Sequence, residues 1–331
     1  MLQRWLGAVL LGVSWAALAD KTPEYGVALE GFDYPYPVRY FEFDSQQQSL
    51  RMAYLDVQPE DANGQTVVLL HGKNFCAATW ESTLNALSEA GYRVIAPDQI
   101  GFCKSAKPAH YQFSFQQLAA NTHALLDSLG IKEHLIMGHS MGGMLATRYA
   151  LMYPERVSQL VLLNPIGLED WLAKGVPYRD VQAWYESELR SNAEGMRRYQ
   201  QATYYAGEWR PEFDRWVTMQ AGMFAGPGRE RVAWLSALTY DMILTQPVYY
   251  EFPRLKVPTL LLIGEQDNTA VGKASAPEAA RRELGNYPAL AREAAARIPD
   301  AELMLFPEWG HSPQVQAPAA FHRILIEQLA D

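Results

Sequence analysis

Gly138-His139-Ser140-Met141-Gly142 sets a serine between two glycines, where the apolar run His134-Leu135-Ile136-Met137 meets a helical pattern from Met141 to Met152. A Gly-x-Ser-x-Gly pattern by itself arises by chance in roughly one chain in ten of this length, so the strand-turn-helix setting carries the weight. A serine on so sharp a turn projects its hydroxyl above a sheet, and small neighbours leave room where strand and helix crowd together. The helix that starts immediately afterwards turns its first amides and positive end toward an oxygen that becomes negative during acyl transfer. The Met141 N–H is therefore the first candidate oxyanion donor.

A serine hydroxyl is a weak nucleophile until a neighbouring base takes its proton, and that base needs a carboxylate to hold its tautomer and stabilise its cation. The apolar run Thr259 to Ile263 ends in Gly264-Glu265-Gln266-Asp267, and Glu302 to Phe306 leads through Pro307-Glu308-Trp309 into Gly310-His311-Ser312-Pro313. Asp267 is the candidate acid and His311 the candidate base. Glu265, closer to the strand, is the second choice for the carboxylate. All three candidates follow the C-terminal ends of strands, the edge on which open parallel sheets place their sites. The histidines at His110, His123, His134, His139 and His322 read as surface or local packing residues.

The elements that must position these groups alternate. Val38 to Phe43 and Leu50 to Val57 form a hairpin pattern after the lead-in Tyr34-Pro35-Tyr36-Pro37. Strand runs follow at 66–70 and 92–96, then at His134, at Gln159 to Leu163, and at Thr259 and Glu302. Helical patterns at Thr79 to Ala90, Ser114 to Leu129 and Met141 to Met152 separate the earlier ones, with Gly91, Gly130 and Pro154 as stops. Short apolar strands alternating with amphipathic helices predict an α/β fold, a mostly parallel eight-stranded sheet covered by helices on both faces. Between Pro165 and Glu251 the rhythm breaks into mainly helical runs rich in Trp and Tyr, which predicts a helical insertion whose aromatics build a small core, line an apolar pocket, or both.

The chain of 331 residues is 49% hydrophobic and 20% charged, enough apolar content for a large core. Its 37 acidic against 28 basic residues, without a Lys/Arg block, argue against a nucleic-acid partner. Arg4, the apolar stretch from Trp5 to Trp15 and Ala17-Leu18-Ala19 make residues 1–19 a signal peptide cut before Asp20. The mature chain is then expected to be exported, periplasmic or secreted, with no stable membrane span. No metal-binding cluster, phosphate loop or dinucleotide fingerprint is visible, so no cofactor is expected.

With the serine turn, acid and histidine in that order, the chain resembles the α/β-hydrolase superfamily, in its serine-nucleophile branch with a helical cap. The resemblance implies a hydrolase core over 20–165 and 252–331 and a cap over 166–251. It also identifies His71-Gly72-Lys73, after the strand 66–70, with the loop that supplies a second oxyanion amide, here the Lys73 N–H. His71 itself is expected to be a structural hydrogen-bonding residue. An aspartate usually stands at the elbow of relatives that open epoxides or remove halides, and Ser140 weighs against both. Ester hydrolysis of a small or medium apolar substrate is the expected activity. Lactone, amide or carbon–carbon bond hydrolysis and acyl transfer are alternatives on the same triad, and a ligand-binding protein that keeps the fold without turnover is the non-enzyme alternative.

Two departures stand out. Relatives often continue after the fourth strand as D-x-x-G-x-G-x-S, whereas Asp98-Gln99-Ile100-Gly101-Phe102-Cys103-Lys104-Ser105 carries Cys103 at the second glycine. Cys76 lies in the oxyanion loop, close to Cys103 in such a fold, and export would permit a Cys76–Cys103 disulfide in place of two free thiols. The second departure is the long stretch from Asn268 to Pro299, with a helix from about Ala289 to Arg297 expected to be a solvated surface helix.

Overall fold

The computed structural model describes residues 22–330; the expected signal segment and its cleavage point lie outside the described residues. Eight strands form one sheet: β1 (Arg39–Ser45), β2 (Gln48–Val57), β3 (Thr66–Leu70), β4 (Arg93–Pro97), β5 (His134–His139), β6 (Val157–Leu163), β7 (Thr259–Gly264) and β8 (Ala301–Phe306). Their order is β1-β2-β4-β3-β5-β6-β7-β8. The β1–β2 and β2–β4 pairs are antiparallel and all later pairs are parallel.

Side chains alternate across this sheet with period two. Val67 and Leu69 of β3, Leu135 and Met137 of β5 and Leu260 and Leu262 of β7 join one apolar cluster, which α1 (Glu81–Glu89) and the C-terminal helix cover with Leu84, Leu87, Phe321 and Leu325. Val68, Leu70, Ile136, Leu261 and Ile263 point the other way, into the larger cluster, where α2 (Phe115–Ser128) and α3 (Met141–Met152) pack. The interior strands are buried on both faces, which is why their sequences are continuous apolar runs. Ser114 caps α2 by accepting the Gln117 N–H at 3.0 Å, satisfying one of the helix's free amides.

Between β6 and β7 the chain makes α4 (Val181–Glu188), α5 (Ala193–Tyr199), a π-helical turn over Gln200–Tyr204, α6 (Asp214–Ala225) and α7 (Arg229–Thr245). Asp180 and Asn192 cap α4 and α5 through their side chains. After β7 come α8 (Glu278–Glu283) and α9 (Tyr287–Arg297), and after β8 come α10 (Pro313–Gln316) and α11 (Pro318–Ala330). One expectation is corrected here. Helix α9 is not a solvated surface helix, because Tyr287, Leu290, Ala291 and Ala294 are buried at helical spacing and the helix packs on β7 and β8. Its short alanines allow close approach to the sheet, while the Arg and Glu residues that suggested solvent occupy the opposite face.

Two histidines of the core tie stability to pH. Burial lowers the pKa of His134 to about 4, with Arg156 and His123 adding to the shift, and burial likewise lowers that of His322 to about 4. Both are neutral in the fold and gain protons on unfolding at mildly acid pH, so their contribution is complete above the unfolded pKa near 6.5 and is lost as pH falls toward 4. Urea unfolding of the wild type should show stability falling by on the order of 2 kcal/mol per histidine between pH 7 and 4.5, and His322→Gln should flatten that slope. An unchanged slope in the variant would contradict the assignment.

Candidate active site

Ser140 ends β5 and opens α3 with φ 57° and ψ -122°, a backbone conformation that L-residues rarely adopt. The two glycines of the motif make it possible. A Cβ on Gly142 would stand 2.0 Å from the Leu70 carbonyl oxygen of β3, and one on Gly138 would stand 2.1 Å from the Gly142 carbonyl oxygen. The turn is then pinned from both sides. Ser140 N–H donates to Leu163 O at 3.2 Å, and its carbonyl accepts from Gly143 N–H at 2.9 Å and Ile166 N–H at 3.2 Å.

Across the same sheet edge, His311 Nδ1 donates to Asp267 Oδ2 at 2.6 Å, and both side chains are almost wholly buried. That bond puts the proton on Nδ1 and leaves Nε2 as the acceptor. Nε2 is buried without a hydrogen-bond partner among the described residues, so no hydrogen bond joins it to Ser140 Oγ. Glu265 does not compete, since its carboxylate turns instead toward Arg292 at 3.6 Å.

Asp267 is saturated. Besides His311, its Oδ2 accepts from Asn164 Nδ2 at 2.9 Å, while Oδ1 accepts from Thr269 N–H at 2.9 Å and Thr269 Oγ1 at 2.7 Å. Asn164, with φ 37°, also accepts the Gly264 N–H at 2.9 Å through its side-chain oxygen. Neither Asn164 nor Thr269 was singled out from sequence. The available signal was a polar residue directly after the apolar run of β6, on the edge shared by the other candidates.

The histidine loop is held by the insertion and by the motif itself. His311 N–H donates to Thr203 O at 3.2 Å and Ser312 N–H to Tyr204 O at 3.1 Å. His139 Nε2 lies 2.8 Å from the His311 carbonyl and must be the donor, since a carbonyl only accepts. Burial holds the His139 pKa well below its usual range, so the ring is neutral. His139 is thus a packing residue that also orients the loop. The Tyr204 ring lies 5.0 Å from that of His311, and Asn74 Nδ2 donates to Tyr204 Oη at 2.8 Å.

Gly72 packs against the serine, since a Cβ there would lie 3.0 Å from Ser140 Cβ. The preceding His71 is a structural residue: its Nε2 accepts the Gln99 N–H at 3.0 Å while Nδ1 faces Gly72 O at 2.9 Å. Met141 directly follows Ser140 at the start of α3, and Lys73 directly follows Gly72 in the neighbouring loop. Cys76 and Cys103 meet behind the loop with Cα atoms 6.0 Å apart, a spacing that a disulfide spans without backbone movement. Asp98 stands beside them, its carboxylate engaged by three donors. It accepts from Tyr34 Oη at 2.6 Å, Ala77 N–H at 2.7 Å and Lys104 N–H at 3.0 Å.

A cleft of about 420 Å³, lined by Arg179, Trp184, Tyr199, Tyr240 and Lys273 among others, reaches the Asp267–His311 pair only through Thr203 and Thr269, and neither Ser140 nor His311 lines it. Other aromatics of the insertion form its own core, as in the Tyr205–Phe213 stack at 3.8 Å. No helix among the described residues is long and apolar enough to cross a membrane.

Replacing Asn164 by Leu should remove the donor to Asp267 and strand the Gly264 amide in a buried site. A loss of about 2 kcal/mol in urea unfolding is expected, and a loss under about 0.5 kcal/mol would contradict the bracing role given to Asn164.

Comparison with known proteins identifies the fold. Residues 65–318 match the model of the alpha/beta hydrolase fold. A solved structure of a probable hydrolytic enzyme from Pseudomonas aeruginosa PAO1 is 67% identical, covering 93% of this chain and 99% of its own with a TM-score of 0.92. A 2-hydroxy-6-oxo-6-phenylhexa-2,4-dienoate hydrolase from Burkholderia cepacia is 27% identical over 274 residues, 81% of this chain and 88% of that protein. An esterase from Exiguobacterium antarcticum shares the fold at 21% identity and a TM-score of 0.67, over 86% of this chain and 97% of its own. The family match spans most of the chain and agrees with the strand order, and so the chain belongs to the alpha/beta hydrolase family.

Proposed function

We propose that the protein is a serine hydrolase that cleaves a carboxylic ester of a small or medium apolar substrate through an acyl-enzyme on Ser140. The observation that carries this reading is the His311–Asp267 hydrogen bond, which leaves His311 Nε2 as a bare base on the edge where the Ser140 turn rises. The Ser140–His311 hydrogen bond then forms when substrate binds, as catalytic hydrogen bonds often tighten only in the complex.

In this mechanism His311 takes the Ser140 proton as Oγ attacks the acyl carbon, and Asp267 stabilises the resulting imidazolium. The amides of Lys73 and Met141 bind the tetrahedral oxyanion, the latter aided by the positive end of α3. Collapse of the intermediate returns the proton from His311 to the departing alcohol. Water, deprotonated by His311, then releases the acid and restores the serine. Residues 166–251 act as the cap over this site, and the cleft of Trp184, Tyr199 and Tyr240 supports an apolar substrate group.

Hydrolysis of a vinylogous diketone by the same residues is the second reading, and the name of the Burkholderia cepacia relative is what favours it. Wild-type protein should take up a fluorophosphonate probe on Ser140 and turn over p-nitrophenyl butyrate. Ser140→Ala should abolish both, and His311→Gln should lower kcat by on the order of 10⁴-fold. Unlabelled Ser140 in folded wild type would overturn the reading, and faster turnover of a vinylogous diketone than of any ester would select the second.

Export after cleavage near Ala19-Asp20 belongs to the same proposal, with Cys76 and Cys103 joined as a disulfide in the oxidising compartment. Unreduced, denatured mature protein should resist alkylation at both cysteines and accept two alkyl groups after reduction. Two alkylated thiols before reduction would contradict the bond.

A further inference from the structure

Lys73 has two ends with separate surroundings. Its main chain belongs to the loop whose Gly72 touches Ser140, and its side chain leaves the core and ends among the helices of the insertion. There Nζ donates to Ser236 Oγ of α7 at 2.6 Å, and Ser236 Oγ donates in turn to Glu188 Oε2 of α4 at 2.5 Å. The ammonium sits 3.6 Å above the centre of the Tyr240 ring and 3.9 Å from Glu188. The Lys73 side chain is only 9% exposed and that of Glu188 13%. Its neighbour Asn74 points the same way and donates to Tyr204 Oη.

A charge taken this far out of water is costly unless it is paired and hydrogen-bonded. Burial accordingly lowers the Lys73 pKa, with Glu188 opposing the shift. A Met or Leu would fill the same space without that cost, so packing alone does not account for an ammonium here. A hydrogen bond, an ion pair and a ring face converging on one Nζ do fix its position in three directions, which apolar contact does not. On its other flank the loop is already fastened to the core, through His71 on the Gln99 amide and Asp98 on the Ala77 amide.

We infer that Lys73 is a positioning residue, whose side chain, anchored through Ser236 and Glu188, lets the seated helical insertion hold the Lys73 amide in register for the oxyanion above Ser140. The inference rests on the ester-hydrolase reading and adds to it that the oxyanion site is completed by the insertion and not by the sheet alone. A donor displaced by a fraction of an ångström loses much of its value to the transition state and little of its value to the bound ester, so the effect falls on kcat.

The test compares wild type with Lys73→Met, which keeps the backbone amide and all but the terminal atom's length of the side chain. With p-nitrophenyl butyrate, kcat should fall by about tenfold while KM stays within about threefold, and affinity for a trifluoromethyl ketone should weaken in proportion to kcat. Ser236→Ala, which keeps the lysine charge and removes only the bridging hydroxyl, should lower kcat in the same direction. It is the deciding variant if Lys73→Met does not fold. Full kcat in Ser236→Ala would overturn the inference, as would Lys73→Met that raises KM alone or leaves inhibitor affinity unchanged. These outcomes are read against a wild type that turns over the ester. A wild type neither labelled at Ser140 nor active would instead remove the hydrolase reading itself.

Discussion

A single residue held against its own backbone preference organises this molecule. At Ser140 the chain must leave β5 and enter α3 within one residue, at a φ of 57° that costs on the order of 1–3 kcal/mol. The surroundings oblige it to stay there. The Gly142 backbone lies almost against the Leu70 carbonyl of β3, and Leu163 and Ile166 grip the serine's amide and carbonyl. Strain of this kind persists only where many contacts over-determine it, and the parallel pairing of β3, β5 and β6 supplies them. The hydroxyl is presented at the sheet edge as a consequence of that packing.

The same edge receives the candidate acid and the candidate base, for a topological reason. In parallel pairing, β7 and β8 end on the side where β5 ends, so Asp267 and His311 emerge close to Ser140 although they are distant in sequence. What the edge does not supply by itself is orientation. Asp267 is aimed by Asn164 and Thr269, and the histidine loop by His139 and by the carbonyls of Thr203 and Tyr204. The insertion therefore helps to hold the His311 loop and lines one side of the cleft.

Much of this was legible in the amino-acid order because the signals were local. Continuous apolar runs between helical patterns announced the parallel sheet, and β3 and α3 have the bounds their residues suggested. Gly-x-Ser-x-Gly announced a turn that only small residues can close. The bracing residues were not legible, because Asn164 matters through a carboxylate 103 positions away and no periodicity marks such a contact. Helix α9 was misread for a related reason: Ala and Arg in alternation look solvated until a sheet is known to lie beneath the alanines. Resemblance marked Lys73 only as a candidate amide donor, whereas the destination of its side chain depends on how the insertion folds back.

The central claim is that Ser140, Asp267 and His311 act as one unit, although His311 Nε2 has no hydrogen-bond partner among the described residues. A crystal structure of the enzyme with a bound trifluoromethyl ketone tests it most directly. The account predicts a covalent bond from Ser140 Oγ to the ketone carbon, the His311 imidazole within hydrogen-bond reach of the adduct, and the adduct oxygen between the amides of Lys73 and Met141. An adduct on another residue, or a Ser140 adduct that His311 does not approach, would contradict it.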